Sequence, residues 1–559
     1  MPTSTENVSA SEQARPRSRR RLSLPRPHRP RLRRPRLRRP RPGVHWLPQA
    51  AAIGFGFLLV AAFPPVGWWW LAPVCVAGFA LCARSAAGLR ARRGLRRPNA
   101  AAAWCGLWFG LAFCFLSFQW VTTVGTDAWI VLSIVEAVYF VPLGAATAAV
   151  GRLRGAPLWQ ALLWVAEEAL RDRWPLQGFS WGRLAFSQSH TPFTPLAALG
   201  GAPLVSFATA LAGSAVAAVL LTVYRAARPR TSASPRSALA ATGWVLLAAA
   251  VPAAGILTPL QTVAAKPVQL VAVQGNVPRT GLDAYGQASA VLGNHLAVTE
   301  QYAAKVTAGL APRPAAVFWP EDADDVDPFQ NPVASAALTR AAASVHTQIL
   351  VGTVVAAGPG QARNEAIVWD PVTGPGAVYV KRHLVPFGEY IPYRSLLTRY
   401  ISELSRVPRD DIPGDRPGVL TVGGVHIADV ICFEIAYDGT VRSSVEPGTG
   451  VLVVQTNNAT YGWSGQPEQQ LAITQLRAVE HRRPVMIAAT SGISAYITPD
   501  GNVHQETRQF TSAVIAAEVT PRTGSTLADQ VGAWPEAVMA AAALAAWALA
   551  LLRREKELR

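Results

Sequence analysis

Cysteine is scarce in this chain, five in 559 residues, and none belongs to a CxxC pair or a Cys/His cluster. That excludes zinc-ribbon, zinc-finger and disulfide-scaffold classes, and no metal or cofactor is expected. Four of the five, Cys75, Cys82, Cys105 and Cys114, lie in apolar runs. Cys432 is alone in the long polar part, which therefore cannot form an internal disulfide. Charge is also sparse, at 15% of residues, and acidic charge is the scarcer sign, 34 Asp and Glu against 52 Lys and Arg. With 50% hydrophobic residues and a mean hydropathy of +0.20, an ordinary soluble enzyme is excluded and several membrane spans are implied.

The positive excess lies outside any working domain. Residues 1–43 form an Arg/Pro-rich tract with 14 Arg against Glu6 and Glu12, whereas 266–530 carry 19 basic and 24 acidic residues. A nucleic-acid enzyme holds its positive charge on the working domain, so nucleic acid is not an expected partner. Proline blocks helix and Arg repels Arg, so the tract reads as a disordered cytoplasmic tail within reach of anionic lipid.

Eight apolar runs follow as candidate spans: Trp46–Phe63, Gly67–Ala83, Ala101–Val121, Ala128–Val150, Pro157–Leu170, Pro203–Tyr224, Ala238–Leu257 and Val531–Leu552. The first could be a signal peptide, but a second span directly after Pro64-Pro65 argues for retention. Basic residues cluster in the N-terminus, 84–97, 152–154, 225–236 and 553–559, which is every second loop. Both termini are then cytoplasmic, and the segment from 262 to 530 is extracytoplasmic. The expected domains are a tail (1–43), a seven-span membrane domain (44–261), a catalytic domain (262–530), a final transmembrane helix (531–552) and a short tail (553–559). The protein is expected to be a multi-pass resident of a bacterial cytoplasmic membrane, and a monomer. Within the spans, Glu136, Glu167 and Glu168 are costly in hydrocarbon; a place near the interface or pairing with Arg is the expected reading of the last two, which precede Arg171.

The polar part alternates short β-branched runs with helical patterns, which implies an α/β domain with covered sheets. Strands are expected at Val268–Gln274, Ala315–Trp319, Gln348–Val355, Glu365–Trp369, Val425–Cys432, Val451–Thr456, Pro484–Thr490 and Ser512–Val519. Helices are expected at Ala284–Thr307, Val333–Val345 and Glu468–His481. Three polar residues end predicted strands: Glu321 after Val-Phe-Trp-Pro, Lys381 after Val-Tyr-Val, and Cys432 after Val-Ile. Each has an unremarkable alternative: Cys432 as a small core residue, Glu321 as the start of a solvated acidic loop, and Lys381 as a surface charge. Together they make an acyl-transfer set, in which a carboxylate takes the thiol proton and an ammonium stabilises negative charge on the attacked carbonyl.

The order Glu, Lys, Cys at strand ends resembles the nitrilase (carbon–nitrogen hydrolase) superfamily. More narrowly, the run from Lys381 to Pro392 (Lys-Arg-His-Leu-Val-Pro-Phe-Gly-Glu-Tyr-Ile-Pro), with Cys432-Phe-Glu434, resembles the bacterial apolipoprotein N-acyltransferase family. Val271–Pro278, Trp319-Pro-Glu321, Thr456–Trp463, Gln177–Gly182 and Ser187-Gln188 are similar too, and the likeness covers about residues 46–552. The resemblance implies an α-β-β-α sandwich beside a membrane domain of about eight spans. It implies Glu321, Lys381 and Cys432 as catalytic residues, with Glu389 and Glu434 in support. Lys381 and the Phe433 N–H are implied as oxyanion donors. The implied partners are a phospholipid acyl donor and the diacylglyceryl-cysteine of apolipoproteins, joined through a Cys432 thioester. Two departures bear on pocket shape and donor preference: Glu321-Asp-Ala, where Glu-Thr-Ala is commoner, and Asn457-Asn-Ala-Thr-Tyr, where many members have Asn-Asp-Ala-Trp-Phe. Residues Gly388 to about Pro417, rich in Pro and apolar residues, are expected to form a movable arm over the site. The rival classes are a membrane-tethered amidase that gives the acyl group to water and an Arg-tailed membrane scaffold without chemistry.

If the tail serves orientation and lipid contact only, deleting residues 1–40 leaves acyl transfer in reconstituted membranes within a few fold. Loss of activity in correctly oriented protein would contradict this.

Overall fold

In hydrocarbon every backbone N–H and C=O must bond within its own segment, so the apolar runs of the N-terminal half can only be helices. The computed structural model describes residues 46–558 except 94–96, 98, 228–234, 258–261, 278–288, 400–406, 408 and 446–447. The Arg/Pro-rich tract lies outside the described residues, as do Pro278 and Tyr400, Ile401 and Pro408 of the expected arm. The helices are α1 (Leu47–Val60), α2 (Leu71–Arg92), α3 (Asn99–Ser117), α4 (Thr126–Val138), α5 (Phe140–Val150), α6 (Ala156–Arg171), α7 (Ala197–Ala226) and α8 (Pro235–Ile256). Among the described residues six stretches are long and apolar enough to cross a membrane: Leu71–Arg92, Asn99–Ser117, Thr126–Val150, Thr194–Ala226, Ala238–Ile256 and Trp534–Arg554.

Two of the eight predicted spans are therefore helices too short for a full crossing. Helix α1 has 14 residues and α6 has 16, against about 20 for a full crossing. The first ends ahead of Pro64-Pro65 and the second at Arg171-Asp172-Arg173, so a chain break and a charge cluster stop them. The carboxylates in α4 and α6 are paired. Arg171 bonds Glu167 at 3.1 Å and Glu136 at 3.5 Å, while Glu168 accepts the Leu184 N–H at 2.8 Å.

The polar part is a four-layer α-β-β-α sandwich. One sheet runs in the order β14-β2-β3-β4-β5-β6, with β7 paired on β5. It comprises β2 (Val268–Gln274), β3 (Ala316–Phe318), β4 (Ile349–Gly358), β5 (Gln361–Asp370), β6 (Gly374–Val380), β7 (Asp410–Asp411) and β14 (Ala513–Val519). The other runs β13-β12-β11-β10-β9-β8, from β8 (Val419–Val422), β9 (Val425–Ile431), β10 (Val451–Thr456), β11 (Val485–Ala489), β12 (Ala495–Ile497) and β13 (Val503–Glu506). A two-stranded ribbon, β1 (Val263–Ala264) with β15 (Arg522–Thr523), lies at the base. Leu270, Phe318 and Val368 of the first sheet pack against Ile427, Ile431 and Val453 of the second. Outside the first sheet lie α9 (Ala290–Thr307) and α10 (Pro332–Val345), which share a core with Val271 and Trp319. Pro332 begins α10, and the Asn331 side chain accepts from the Val333 and Ala334 N–H groups, the arrangement a helix N-terminus needs. Both faces of β10 are covered, which is why Val-Leu-Val-Val reads as a continuous apolar run rather than an alternation.

Outside the second sheet lie α12 (Asp438–Val445) and α13 (Gln466–His481), after the one-turn α11 (Arg394–Leu397). Helix α13 also faces the membrane helices, and α14 (Leu527–Val531) leads into the last apolar helix, α15 (Trp534–Leu558). One apolar cluster is continuous from Phe109, Phe140 and Trp164 through Trp181 and Phe433 to Val454 and Ile487. Gly201 breaks α7 at φ +68, and a Cβ there would stand 2.9 Å from Glu480 of α13, so only glycine allows this approach. All eight strands given by range are present, as is β6, the strand expected ahead of Lys381; β8, β12 and β13 carry too few β-branched residues in alternation to stand out.

A buried ionic clamp joins the two parts. Arg183, in the loop after α6, bonds Asp438 at 2.9 Å and Asp172 at 3.2 Å. Arg477 of α13 bonds Asp438 at 2.6 Å and also holds Glu480. Burial works against charge on Asp438, but the two guanidiniums outweigh it and keep its carboxyl well below the usual carboxylate range. Removing Asp438 leaves two enclosed cations short of a partner, a loss on the order of 3 kcal/mol. Asp438→Ala is therefore expected to lower the thermal unfolding midpoint in detergent by several degrees; an unchanged midpoint would show the clamp to be dispensable.

Candidate active site

The site lies where strand ends from both sheets meet. Cys432 follows β9 directly and opens a short 3-10 helix, Cys432–Ala436. It takes φ +54, a left-handed conformation rare for a residue with a Cβ, and one that lifts a side chain out of the strand line. The Thr456 hydroxyl, at the end of β10, donates to Cys432 Sγ at 3.2 Å, and Gln470 Nε2 donates to Thr456 Oγ1 at 3.0 Å. Burial and then the Glu321 charge push the thiol up, and Lys381 and the Thr456 bond do not reverse this. The thiol thus rests protonated, and attack by sulfur needs a base.

Glu321 lies three residues beyond β3 and Lys381 one residue beyond β6, both in the first sheet. Glu321 Oε1 accepts from Lys381 Nζ at 2.8 Å and from Asn364 Nδ2 at 2.8 Å; its Oε2 accepts the Asn457 N–H at 2.9 Å. The Lys381 ammonium is also bonded to Glu389, whose second oxygen accepts the Val385 N–H at 2.8 Å. Burial alone would discharge Lys381, but Glu321 and Glu389 hold its pKa well above the ordinary lysine value. Glu389 is pushed up to about 7, chiefly by burial, with Lys381 opposing.

Glu434 ties the two strand ends together. Its Oε2 accepts from the Ile431 N–H (2.8 Å) and the Tyr379 hydroxyl (2.7 Å), and its Oε1 from the Arg382 (2.8 Å) and His383 (3.0 Å) N–H groups. One carboxylate therefore fixes both the nucleophile turn and the segment after Lys381. Phe433 stacks on Trp181 with centroids 5.4 Å apart and planes 6° apart, and on Phe179 at 5.6 Å. Both partners come from the Gln177–Gly182 run between α6 and α7. Tyr437 donates to the Gly178 carbonyl at 2.9 Å, and Arg477 donates to the Ile435 and Ala436 carbonyls at 2.9 Å.

All six residues singled out by sequence are thus brought together: Glu321, Lys381, Cys432, Glu389, Glu434 and Phe433. Asn364, Tyr379, Thr456, Asn457 and Gln470 were missed as site residues, and Asp322 was noted only as a departure bearing on pocket shape. Thr456 and Asn457 lie in a run that the sequence reading quoted; Asn364 and Tyr379 carry no signal, because only strand pairing brings them in. The arm's described residues are bound at several points. Asp411 N–H donates to Glu389 O and Gly414 N–H to Lys381 O, β7 pairs with β5, and Arg394 bonds Asp410 at 2.5 Å. Tyr393 and Leu396 are exposed.

A carbon–nitrogen hydrolase family model matches residues 289–528, which sets the class of the sandwich. The model of the apolipoprotein N-acyltransferase N-terminal domain matches residues 55–215. The apolipoprotein N-acyltransferase of Mycolicibacterium smegmatis is 37% identical over 522 residues, covering 90% of this chain and 85% of that one. That of Azotobacter vinelandii is 31% identical, covering 92% and 97%. An amidase of the nitrilase superfamily from Nesterenkonia AN1 superposes with a TM-score of 0.34 at 17% identity, covering 47% of this chain and 93% of that one. The chain belongs to the apolipoprotein N-acyltransferase family.

If Glu434 holds the nucleophile turn, Glu434→Gln sets an NH₂ group against N–H donors and is expected to slow acyl transfer by about 10- to 100-fold. An unchanged rate in a folded variant would show that the four-donor carboxylate is not what holds Cys432.

Proposed function

We propose that this membrane acyltransferase moves an acyl chain from a phospholipid, through a Cys432 thioester, to the α-amino group of a lipoprotein's diacylglyceryl-cysteine. The observation that carries the reading is the enclosed Lys381 held between Glu321 and Glu389, with the buried Cys432 thiol at a facing strand end. In the first half-reaction Glu321 takes the Cys432 proton as sulfur attacks the ester carbonyl. The oxyanion forms toward Lys381 and the Phe433 N–H. The ester C–O bond breaks, and Glu321 returns the proton to the departing lysophospholipid oxygen. In the second half-reaction the amine attacks the thioester, and Glu321 carries its proton to the Cys432 sulfur as the C–S bond breaks.

The aromatic wall of Trp181, Phe179 and Phe433 supports an apolar approach that keeps water from the thioester. The alternation of basic loops supports an eight-span arrangement with both termini cytoplasmic and the sandwich outside, facing the outer leaflet. The short helices α1 and α6 would then cross with the help of flanking loops. Nothing in the mechanism needs a second copy, and the protein is proposed to act as a monomer.

Purified protein is incubated with phospholipid, then with a diacylglyceryl-cysteine peptide, and followed by mass spectrometry. A thioester mass and then an N-acylated peptide are expected; free fatty acid in place of the amide would make it a hydrolase. Cys432→Ala is expected to carry no acyl adduct. Glu321→Gln and Lys381→Ala are each expected to lose about 10³-fold or more in turnover, with a double variant hardly worse than either single one. A labile adduct surviving in Cys432→Ala would refute the assignment.

A further inference from the structure

Resting on the reading just given, we propose that Asp322 is the ammonium-binding and proton-accepting group for the acceptor amine in the second half-reaction. The acceptor's α-amino group is largely an ammonium at neutral pH, since such groups titrate near about 8. It must lose one proton before it can attack and a second as the amide forms. Glu321 can take only one of these, because it must return that proton to the Cys432 sulfur. A carboxylate beside Glu321 can take the other.

Asp322 directly follows Glu321. It has φ +53, the left-handed region that Asp and Asn tolerate better than other residues with a Cβ. Its Oδ2 accepts from Asn457 Nδ2 at 2.9 Å, and the Asn457 N–H donates to Glu321 Oε2 at 2.9 Å. Asn457 follows Thr456, the residue bonded to Cys432 Sγ. One short segment thus touches the nucleophile, the base and Asp322. The other oxygen, Oδ1, is screened from solvent and has no hydrogen-bond partner among the described residues. An enclosed oxygen with no donor is a place for a donor that arrives with substrate.

The charge balance agrees. Lys381 acts on Asp322, Glu389 and Asp411 alike, and Arg409 adds to it at Asp411. Lys381 is already shared between Glu321 and Glu389. A second cation from the substrate would offset the remaining negative charge. Burial first, and then the Glu321 charge, push Asp322 up to about 7, with the Asn457 bond and Lys381 opposing. That is close to the value that lets it accept a proton from an ammonium and release it to water before the next turnover. In balance, the ammonium gives one proton to the Asp322 carboxylate and the amine nitrogen attacks the thioester carbonyl. Glu321 takes the second proton, the C–S bond breaks, and Glu321 protonates the Cys432 sulfur. The amide retains the third hydrogen.

Full-length Asp322→Asn in detergent tests this, because Asn fits the same backbone conformation and its amide oxygen can still accept from Asn457. Thioester formation from phospholipid and transfer to a synthetic diacylglyceryl-cysteine peptide are timed separately in single turnovers from pH 6 to 9. Wild-type transfer is expected to rise through about pH 7, as Asp322 becomes a carboxylate. In Asp322→Asn, thioester formation is expected within about 2-fold of wild type and transfer at pH 7 at least 10-fold slower. At pH 9, where the amine arrives neutral, the deficit should shrink to about 2-fold. Asp322→Gly, which also fits the left-handed backbone, should show the same recovery. A deficit that is absent, that is equal at pH 7 and 9, or that is shared by thioester formation overturns the proposal. If wild type makes the thioester but releases only free fatty acid, the functional reading falls and this inference with it. If wild type makes the amide and Asp322→Asn matches it, this inference falls alone.

Discussion

An ammonium taken out of water is tolerable only when carboxylates surround it, and Lys381 is 1% exposed. One partner is distant in the chain, Glu321 after β3, and the other, Glu389, lies in the segment that follows Lys381 itself. Pairing the three forces the end of β6 toward the end of β3. It also leaves a fixed positive charge where an attacked carbonyl would build negative charge. The thiol beside it is the counterpart. Burial pushes the Cys432 thiol up, so attack by its sulfur calls for a base, the part proposed for Glu321.

The second sheet must be registered against the first for this to work, and Glu434 does the registering. A single carboxylate with four donors, two from the nucleophile strand and the Tyr379 ring and two from the backbone after Lys381, leaves little freedom between Cys432 and Lys381. The remaining contacts reach into the membrane part. Phe433 is stacked on Trp181 and Phe179, and Arg183, Asp438 and Arg477 clamp the turn that follows. The helices are thus more than an anchor: their loop after α6 forms a wall of the nucleophile turn.

Much of this was legible in the chain. The apolar runs announce helices because nothing else satisfies the backbone in lipid, and six of them have spanning length. The run from Lys381 to Pro392 together with Cys432-Phe-Glu434 pointed to the family, and all eight predicted strands formed. Span length was less legible. Hydropathy marks where a run is apolar but not where a helix stops: the run to Phe63 ends as helix at Val60, ahead of the prolines, while α6 runs on to Arg171, whose charge has partners elsewhere. The edge strands β8 and β13, and β12 beside the latter, were missed because their alternation is short and their neighbours supply the order.

By itself the sequence determined which residue types were at hand for chemistry: one thiol in the polar part, a lysine and carboxylates at strand ends, and charge distributed to orient helices. Those follow from composition and local pattern, which need no partner. Only the tertiary structure decided the partners. Asn364, Tyr379 and Asn457 enter the site through strand pairing and loop closure across 43 to 136 residues of chain. Asp322 gains an oxygen without a donor only once Asn457 is folded against it. The physical reason is that a hydrogen bond or a pKa belongs to an arrangement of groups in space, and burial, which sets both here, exists only after the sheets have packed.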